Sequence, residues 1–337
     1  MKSATRLMVT LVMSTGAWAA TTCAPTGFFQ DNVNMTAAKI DPVGAVSGEV
    51  DATSCNIGVY YSHGKGQVSK ANIHGSNYFG VVVNGDSTSV AVDVLNSTIH
   101  DIGESPLNGS QHGVAIYYRG FGPGNATGKI NGNTIERYQK GGIIVNGTGA
   151  KANVSDNIVN GAGAIKYIAQ NGIQIGYGAS AQVMRNMVMG NAYNGLNCAA
   201  SGGIIAFGGP AYDGPYTTGT QIEGNTLVNN DVGVFLSNWD FGFSSPPASA
   251  TNIKVVNNTI TNNALSNISA FQTVCGDSNT GGGYQAGISD VGNNDKIINN
   301  TISGIGYDPA QSTSTTYTFK VDADPSFTNR PKVHANK

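Results

Sequence analysis

The chain has 337 residues, of which 11% are charged and 8% aromatic, with 46 glycines and a formal net charge of -2. So little charge excludes a helical bundle, whose solvated faces need Lys, Glu and Arg, and so much glycine excludes long helices. No basic block or tail offers a phosphate-neutralising patch, so nucleic-acid binding is not expected.

Residues 1–20 read MKSATRLMVTLVMSTGAWAA. Lys2 and Arg6 precede a short apolar run from Leu7 to Val12, and Ala17-Trp18-Ala19 is a small-x-small triplet. This is the pattern of a secretory signal peptide cleaved after Ala19 or Ala20. The run is too short to cross a bilayer, and no later stretch approaches that length, so no membrane span is expected. Cleavage removes two of the 18 basic residues and none of the 20 acidic ones. The mature chain is therefore expected to be secreted and soluble. Residues 21–47 are expected to form an N-terminal cap. The cysteines are Cys23, Cys55, Cys198 and Cys275. In an oxidising compartment they suggest two disulfides, and proximity favours Cys23–Cys55 and Cys198–Cys275 among the possible pairings. No C-x-x-C spacing points to zinc. No cofactor is called for, and calcium is left open.

From residue 48 to 305 the chain repeats irregularly. One anchor is Asn followed by Thr or an apolar residue, at Asn133, Asn157, Asn186, Asn225, Asn258 and Asn300, with Ser97 in the same place earlier. The other is Gly before a short apolar run, at Gly58, Gly80, Gly113, Gly142, Gly172, Gly203, Gly233 and Gly287. The steps from Gly113 through Gly142, Gly172 and Gly203 to Gly233 are nearly even. Short β-rich segments at such a period indicate a solenoid or propeller. The blade signatures of a propeller and the leucines of a leucine-rich repeat are missing. The remaining reading is an all-β, single-stranded right-handed parallel β-helix of about eight coils, with the Asn anchors stacked as an internal ladder. Residues 306–337 are expected to close its far end and trail off.

The repeat, with segments such as Asn108–Tyr118 and Ile168–Ile175, resembles the pectin-lyase-like superfamily of right-handed parallel β-helix proteins over residues 44–305. The resemblance implies that fold and an extracellular polysaccharide as partner. The local enzyme signatures of the superfamily are incomplete here. Gln111-His112-Gly113 partly resembles the Gly-His-Gly of polygalacturonase-like enzymes, without their Asn-Thr-Asp and Asp-Asp motifs. The Trp-Ile-Asp-His of pectate lyases is missing. Tyr307-Asp308-Pro309 resembles part of a mannuronan epimerase motif but lacks its His.

A solenoid binds where a short loop between tall ones leaves a groove. Measured from each Asn anchor to the next Gly, Asn133–Gly142 and Asn225–Gly233 are short. Their neighbours Ser97–Gly113, Asn157–Gly172, Asn186–Gly203 and Asn258–Gly287 are long. The second short loop is expected to be roofed by Cys198–Cys275. The first, Glu136–Lys140, is the expected groove floor, with Gln111 and His112 on one wall and Lys166, Tyr167 and Gln170 on the other. In this reading Arg137 pairs with a uronate carboxylate and Lys140 is the base, its pKa lowered by Arg137 and Lys166. Tyr138 or Tyr167 donates to the leaving oxygen, and His112 is the substitute base. Gln111 and Gln170 flank Lys140 and orient the ring, and Tyr118 is a further substrate contact. The expected function is β-elimination on an acidic polysaccharide, the alternative being a non-catalytic glycan-binding, adhesion or structural protein. Glu104 and Glu136 are a less favoured hydrolase pair.

One row stands apart. Two residues after the Gly anchors come Tyr60, Val82, Ala115, Ile144, Gln174, Ile205, Phe235 and Ser289. Strand alternation points this row outward, and it is unusually apolar for a wet face. It calls for a covering loop, a terminal segment or another subunit, and a homotrimer through this face is one arrangement it allows.

Overall fold

The computed structural model describes residues 22–197, 199–267, 283–313, 316–326 and 328–337. The leader and the Cys198–Cys275 pair lie outside the described residues.

Each coil turns at a residue in the left-handed backbone region, immediately before an Asn anchor. Gly132, Asp156, Arg185, Gly224, Asn257 and Asn299 all have φ between 54° and 68°. Only Gly and, less readily, Asn or Asp adopt this conformation without strain. Arg185 is held there by an ion pair with Asp156 of the preceding coil, at 2.8 Å. The corner aims the following Asn inward, where it binds coil to coil. Asn133 donates from its backbone N–H and its Nδ2 to Asn157 Oδ1, at 3.0 and 2.9 Å. The same pattern carries Asn157 to Asn186, Asn225, Asn258 and Asn300. Ser97 joins the top of the ladder through its backbone N–H, and Asn336 extends it at the bottom.

Between these corners the chain forms two sheets of parallel strands. The 17-stranded sheet contains both limbs that flank the ladder, for example Ala126–Asn131 before Asn133 and Thr134–Tyr138 after it. The 11-stranded sheet runs from Ala24–Gln30 through Val114–Arg119, Gly141–Asn146, Asn171–Gly176, Gly202–Gly208 and Val232–Asn238 to Thr316–Asp322. All its pairings are parallel except the first, where Ala24–Gln30 folds back on Val33–Ile40 as a hairpin. The chain is a parallel β-helix. Its interior is a continuous stack of Val, Ile and Ala, with Tyr61, Tyr118, Tyr138 and Tyr307 as the largest members.

The Gly anchors mark close approach. A Cβ on Gly142, Gly172, Gly203 or Gly233 would lie 2.5–2.8 Å from a carbonyl oxygen of the next coil. Gly80 faces Ala115 in the same way. Ala115, not Gly113, therefore holds the column in its coil, and the sequence phase slips there by two positions. The outward row has Tyr117 where the sequence reading puts Ala115, since Tyr117 pairs with both Val82 and Ile144.

Both ends carry more coil than the anchors mark. Cys23 is bonded to Cys55, with their Cα atoms 5.4 Å apart, and pins the N-terminal hairpin. Residues 306–337, expected to close the far end and trail off, add strands Thr316–Asp322 and Lys332–His334 and the last ladder Asn.

Among the described residues, three buried carboxyls lie in the C-terminal half. Asp231 accepts from the backbone amides of Tyr193 and Ser201, yet burial pushes it up to about 7. Burial also raises Asp290 and Asp295, two acids that neighbour each other in the interior.

Asn157→Ala would leave the Asn133 amide and the Ile130 carbonyl without their buried partner. It should destabilise the protein by about 2–4 kcal/mol in denaturant titration. The buried acids have folded pKa values above the unfolded value of 3.8, so the stability they contribute is present at low pH and lost as pH rises. The thermal midpoint should fall between pH 4 and 8, and Asp295→Asn should flatten that fall.

Candidate functional site

The outward row of the 11-stranded sheet runs Tyr60, Val82, Tyr117, Ile144, Gln174, Ile205, Phe235, Ser289 along successive coils. Its N-terminal part is covered by the chain itself. Phe28 of the hairpin stacks on Tyr60 and leans on Phe79, at 6.1 and 6.2 Å between ring centres. The Arg119 guanidinium sits 4.7 Å over the Phe28 ring and is anchored by Asp86 at 2.6 Å. Beyond this cover the row becomes the floor of an open groove of about 450 Å³, formed by Tyr117, Ile144, Gln174, Ile205 and Phe235.

The groove has two unlike edges. One carries Gln111, Lys140 and Asn171, which precede or begin their strands. The other carries Tyr177, Phe207 and Tyr212 near or beyond the strand ends. These rings meet edge to face, Tyr177 to Phe207 at 4.8 Å and Phe207 to Tyr212 at 5.1 Å, and Phe243 continues the series at 5.1 Å. The Tyr212 hydroxyl is tied to Ser237 Oγ at 2.7 Å. Amides line the space between. Asn171 Nδ2 donates to Gln174 Oε1 at 3.1 Å, and Asn146 Oδ1 is buried without a hydrogen-bond partner among the described residues. Among the described lining residues there is one charged group, Lys140, and no carboxylate.

Lys140 Nζ donates to the Ala169 carbonyl at 2.9 Å. Burial pulls its ammonium down to about 8. The sequence reading assigns that shift to repulsion from Arg137 and Lys166; the cause is desolvation.

Arg137 is placed elsewhere. It sits in the left-handed region at φ 49° and pairs with Asp101 at 2.8 Å and with Glu136. That pairing holds Asp101 down at about 2 and raises the guanidinium. Arg137, Asp101, Glu104, Glu136 and Asn160 line a different cavity of about 710 Å³. The structure therefore separates the two residues expected to act together.

Tyr138, Tyr118 and Gln170 do not reach a ligand, because each points into the protein. Tyr138 is fully buried and its hydroxyl donates to Asn191 Oδ1 at 2.6 Å. Tyr118 donates to the Val92 carbonyl at 2.6 Å. Gln170 Nε2 donates to the Tyr138 carbonyl at 2.6 Å, and its Oε1 accepts from the Ala162 amide. Gln139 braces the other neighbouring loop, accepting from the Glu104 amide and donating to the Ser110 carbonyl. His112 stacks on Tyr78 at 3.8 Å and its Nε2 meets Glu104 at 2.6 Å, so it anchors its loop. Lys166 and Tyr167 are exposed on the loop beside Ala169 and do not line the groove. Of the residues singled out from sequence, the groove brings together Gln111 and Lys140. The aromatic edge has no counterpart in that reading. Its signal is the apolar outward row, which marks the floor but not the loops beside it.

No protein-family model, curated protein or solved structure matches the chain.

The Lys140 ammonium should titrate near pH 8. In NMR spectra of lysine-labelled protein this would be a step in one ε-methylene resonance that disappears in Lys140→Met.

Proposed function

We propose that this chain binds an extended acidic glycan along the groove, parallel to the solenoid axis. The observation that carries this reading is the composition of the groove: amides, an aromatic edge and one cation, with no carboxylate among the described lining residues. Aromatic and aliphatic surfaces suit the apolar faces of pyranose rings, and Asn146, Asn171, Gln174 and Gln111 suit their hydroxyls. Lys140 suits a uronate carboxylate. The coil architecture supports placing the chain in the pectin-lyase-like superfamily. The leader pattern and the Cys23–Cys55 bond support secretion. No helix among the described residues is long and apolar enough to cross a membrane.

A second reading, β-elimination, is favoured by the depressed pKa of Lys140 alone. A base that is half neutral near pH 8 is suited to abstracting the proton α to a uronate carboxylate. A hydrolase pair does not belong to this groove, since Glu104 and Glu136 line the other cavity.

The two readings differ in pH dependence. A contact needing the Lys140 ammonium weakens as pH rises through about 8, whereas a base strengthens over the same range. Calorimetry with polygalacturonate and alginate from pH 6 to 9 should show affinity falling, and Lys140→Gln or Tyr177→Ala should lose about tenfold. Absorbance near 235 nm that grows with pH, and is abolished in Lys140→Gln, would instead establish the lyase. Wild-type affinity in both variants would exclude the groove.

A further inference from the structure

A second surface emerges from register alone, on the outer face of the 17-stranded sheet at its C-terminal end. Lys254 pairs with Lys296, and Lys296 with Lys332, on three successive coils. A whole coil of chain separates each of these lysines from the next, so no basic block is visible in the sequence. Stacking brings their Cα atoms to about 4.8 Å from coil to coil. Two positions before them stand Asn252, Asn294 and Arg330, all in the left-handed region at φ 52°, 61° and 53°. Two positions after them stand Val256, Ile298 and His334, in register with each other. The result is a grid three coils deep. One column is amide and guanidinium, one is lysine, and one is apolar, ending in His334.

The grid contains four cations, Lys254, Lys296, Lys332 and Arg330, and no carboxylate. None of the four forms an ion pair among the described residues. The nearest acidic side chain along these columns, Glu223, lies one coil earlier and is bonded to Gln221. Asp295, between Asn294 and Lys296, points inward and is fully buried. Like charges directly opposed on neighbouring strands repel, and no carboxylate within the three coils of the grid offsets that repulsion. The lysine column also continues a row of amides on the preceding coils, Asn153, Gln182 and Gln221.

We propose that this face binds a linear acidic polysaccharide laid along the solenoid axis. The coil spacing is close to the length of one sugar in an extended chain, so the carboxylates that turn toward the sheet meet lysines of the column. The amide row and the Val256–Ile298 strip meet hydroxyls and ring faces. The grid lacks the aromatic platforms on which single-stranded nucleic acid stacks, which favours a glycan over a nucleic acid. This surface lies on a different sheet from the groove and does not rest on the reading given to it.

The test is calorimetry with polygalacturonate at low and moderate salt, with a poly-dT oligonucleotide as comparator. Two variants are compared with wild type: Lys254→Gln/Lys296→Gln/Lys332→Gln, and the groove variant Lys140→Gln/Tyr177→Ala. The triple variant should bind about tenfold more weakly at low salt, with a shallower dependence of log K on log salt by about 2. The groove variant should keep the salt-dependent component. The thermal midpoint of the triple variant at low salt should be no lower than that of wild type, since repulsion is relieved. Unchanged binding in the triple variant would overturn the proposal. So would equal or tighter binding of poly-dT, which would make the partner a nucleic acid. A lowered midpoint would also overturn it, by showing that the lysine stems serve packing.

Discussion

Everything in this molecule depends on one hydrogen bond, made again on each coil: an inward Asn amide accepting from the backbone and side chain of the Asn before it. Each such Asn also donates to a strand carbonyl of the preceding coil, as Asn157 does to Ile130 and Asn186 to Val154. The amide thus sets the height of a coil and its rotational phase together. Loops as short as Asn225–Gly233 and as long as Asn258–Gly287 leave the stack undisturbed. This bond is what keeps two sheets in register over the length of the chain.

Register is in turn what creates both surfaces. The groove floor is a column of residues that are never neighbours in sequence, and its aromatic edge collects Tyr177, Phe207 and Tyr212 from adjacent coils. The lysine column arises in the same way on the other sheet. The braces that shape the groove are equally remote. Gln139 reaches from a strand end into the loop before Val114, and Gln170 ties its own loop to Ala162 and to the Tyr138 carbonyl of the preceding coil.

The sequence displays the periodic part of this plan well. Asn anchors are legible because the corner and the ladder demand one residue type at one place. The glycine column is legible for a similar reason, the closeness of the next carbonyl, except where Ala115 replaces Gly and a nearby Gly113 misleads the phase. Side-chain direction near the corners is much less legible. Arg137 and Lys140 are close in sequence, but Arg137 is itself left-handed and its strand ends before Lys140, so they finish in different cavities. Tyr138 looks like a loop residue in sequence and is a core residue in fact, because the strand Thr134–Tyr138 takes in Glu136, Arg137 and Tyr138 of the expected loop. Like charges such as Lys254 and Lys296, brought together across a whole coil of chain, leave no trace in a local reading.

The ladder is also an electrical object. Every Oδ1 in it faces the N-terminal coils, so the amide carbonyls lie head to tail along the axis, while each Nδ2 from Asn133 to Asn300 donates both onward to the next Oδ1 and back to a carbonyl of the preceding coil. In a low-dielectric interior such a chain of bonds polarises itself. Its positive pole falls at Asn336, on the coil that carries Lys332 and Arg330. The solenoid therefore has a polarity that its net charge of -2 conceals, and an anionic chain approaching it meets two unlike ends.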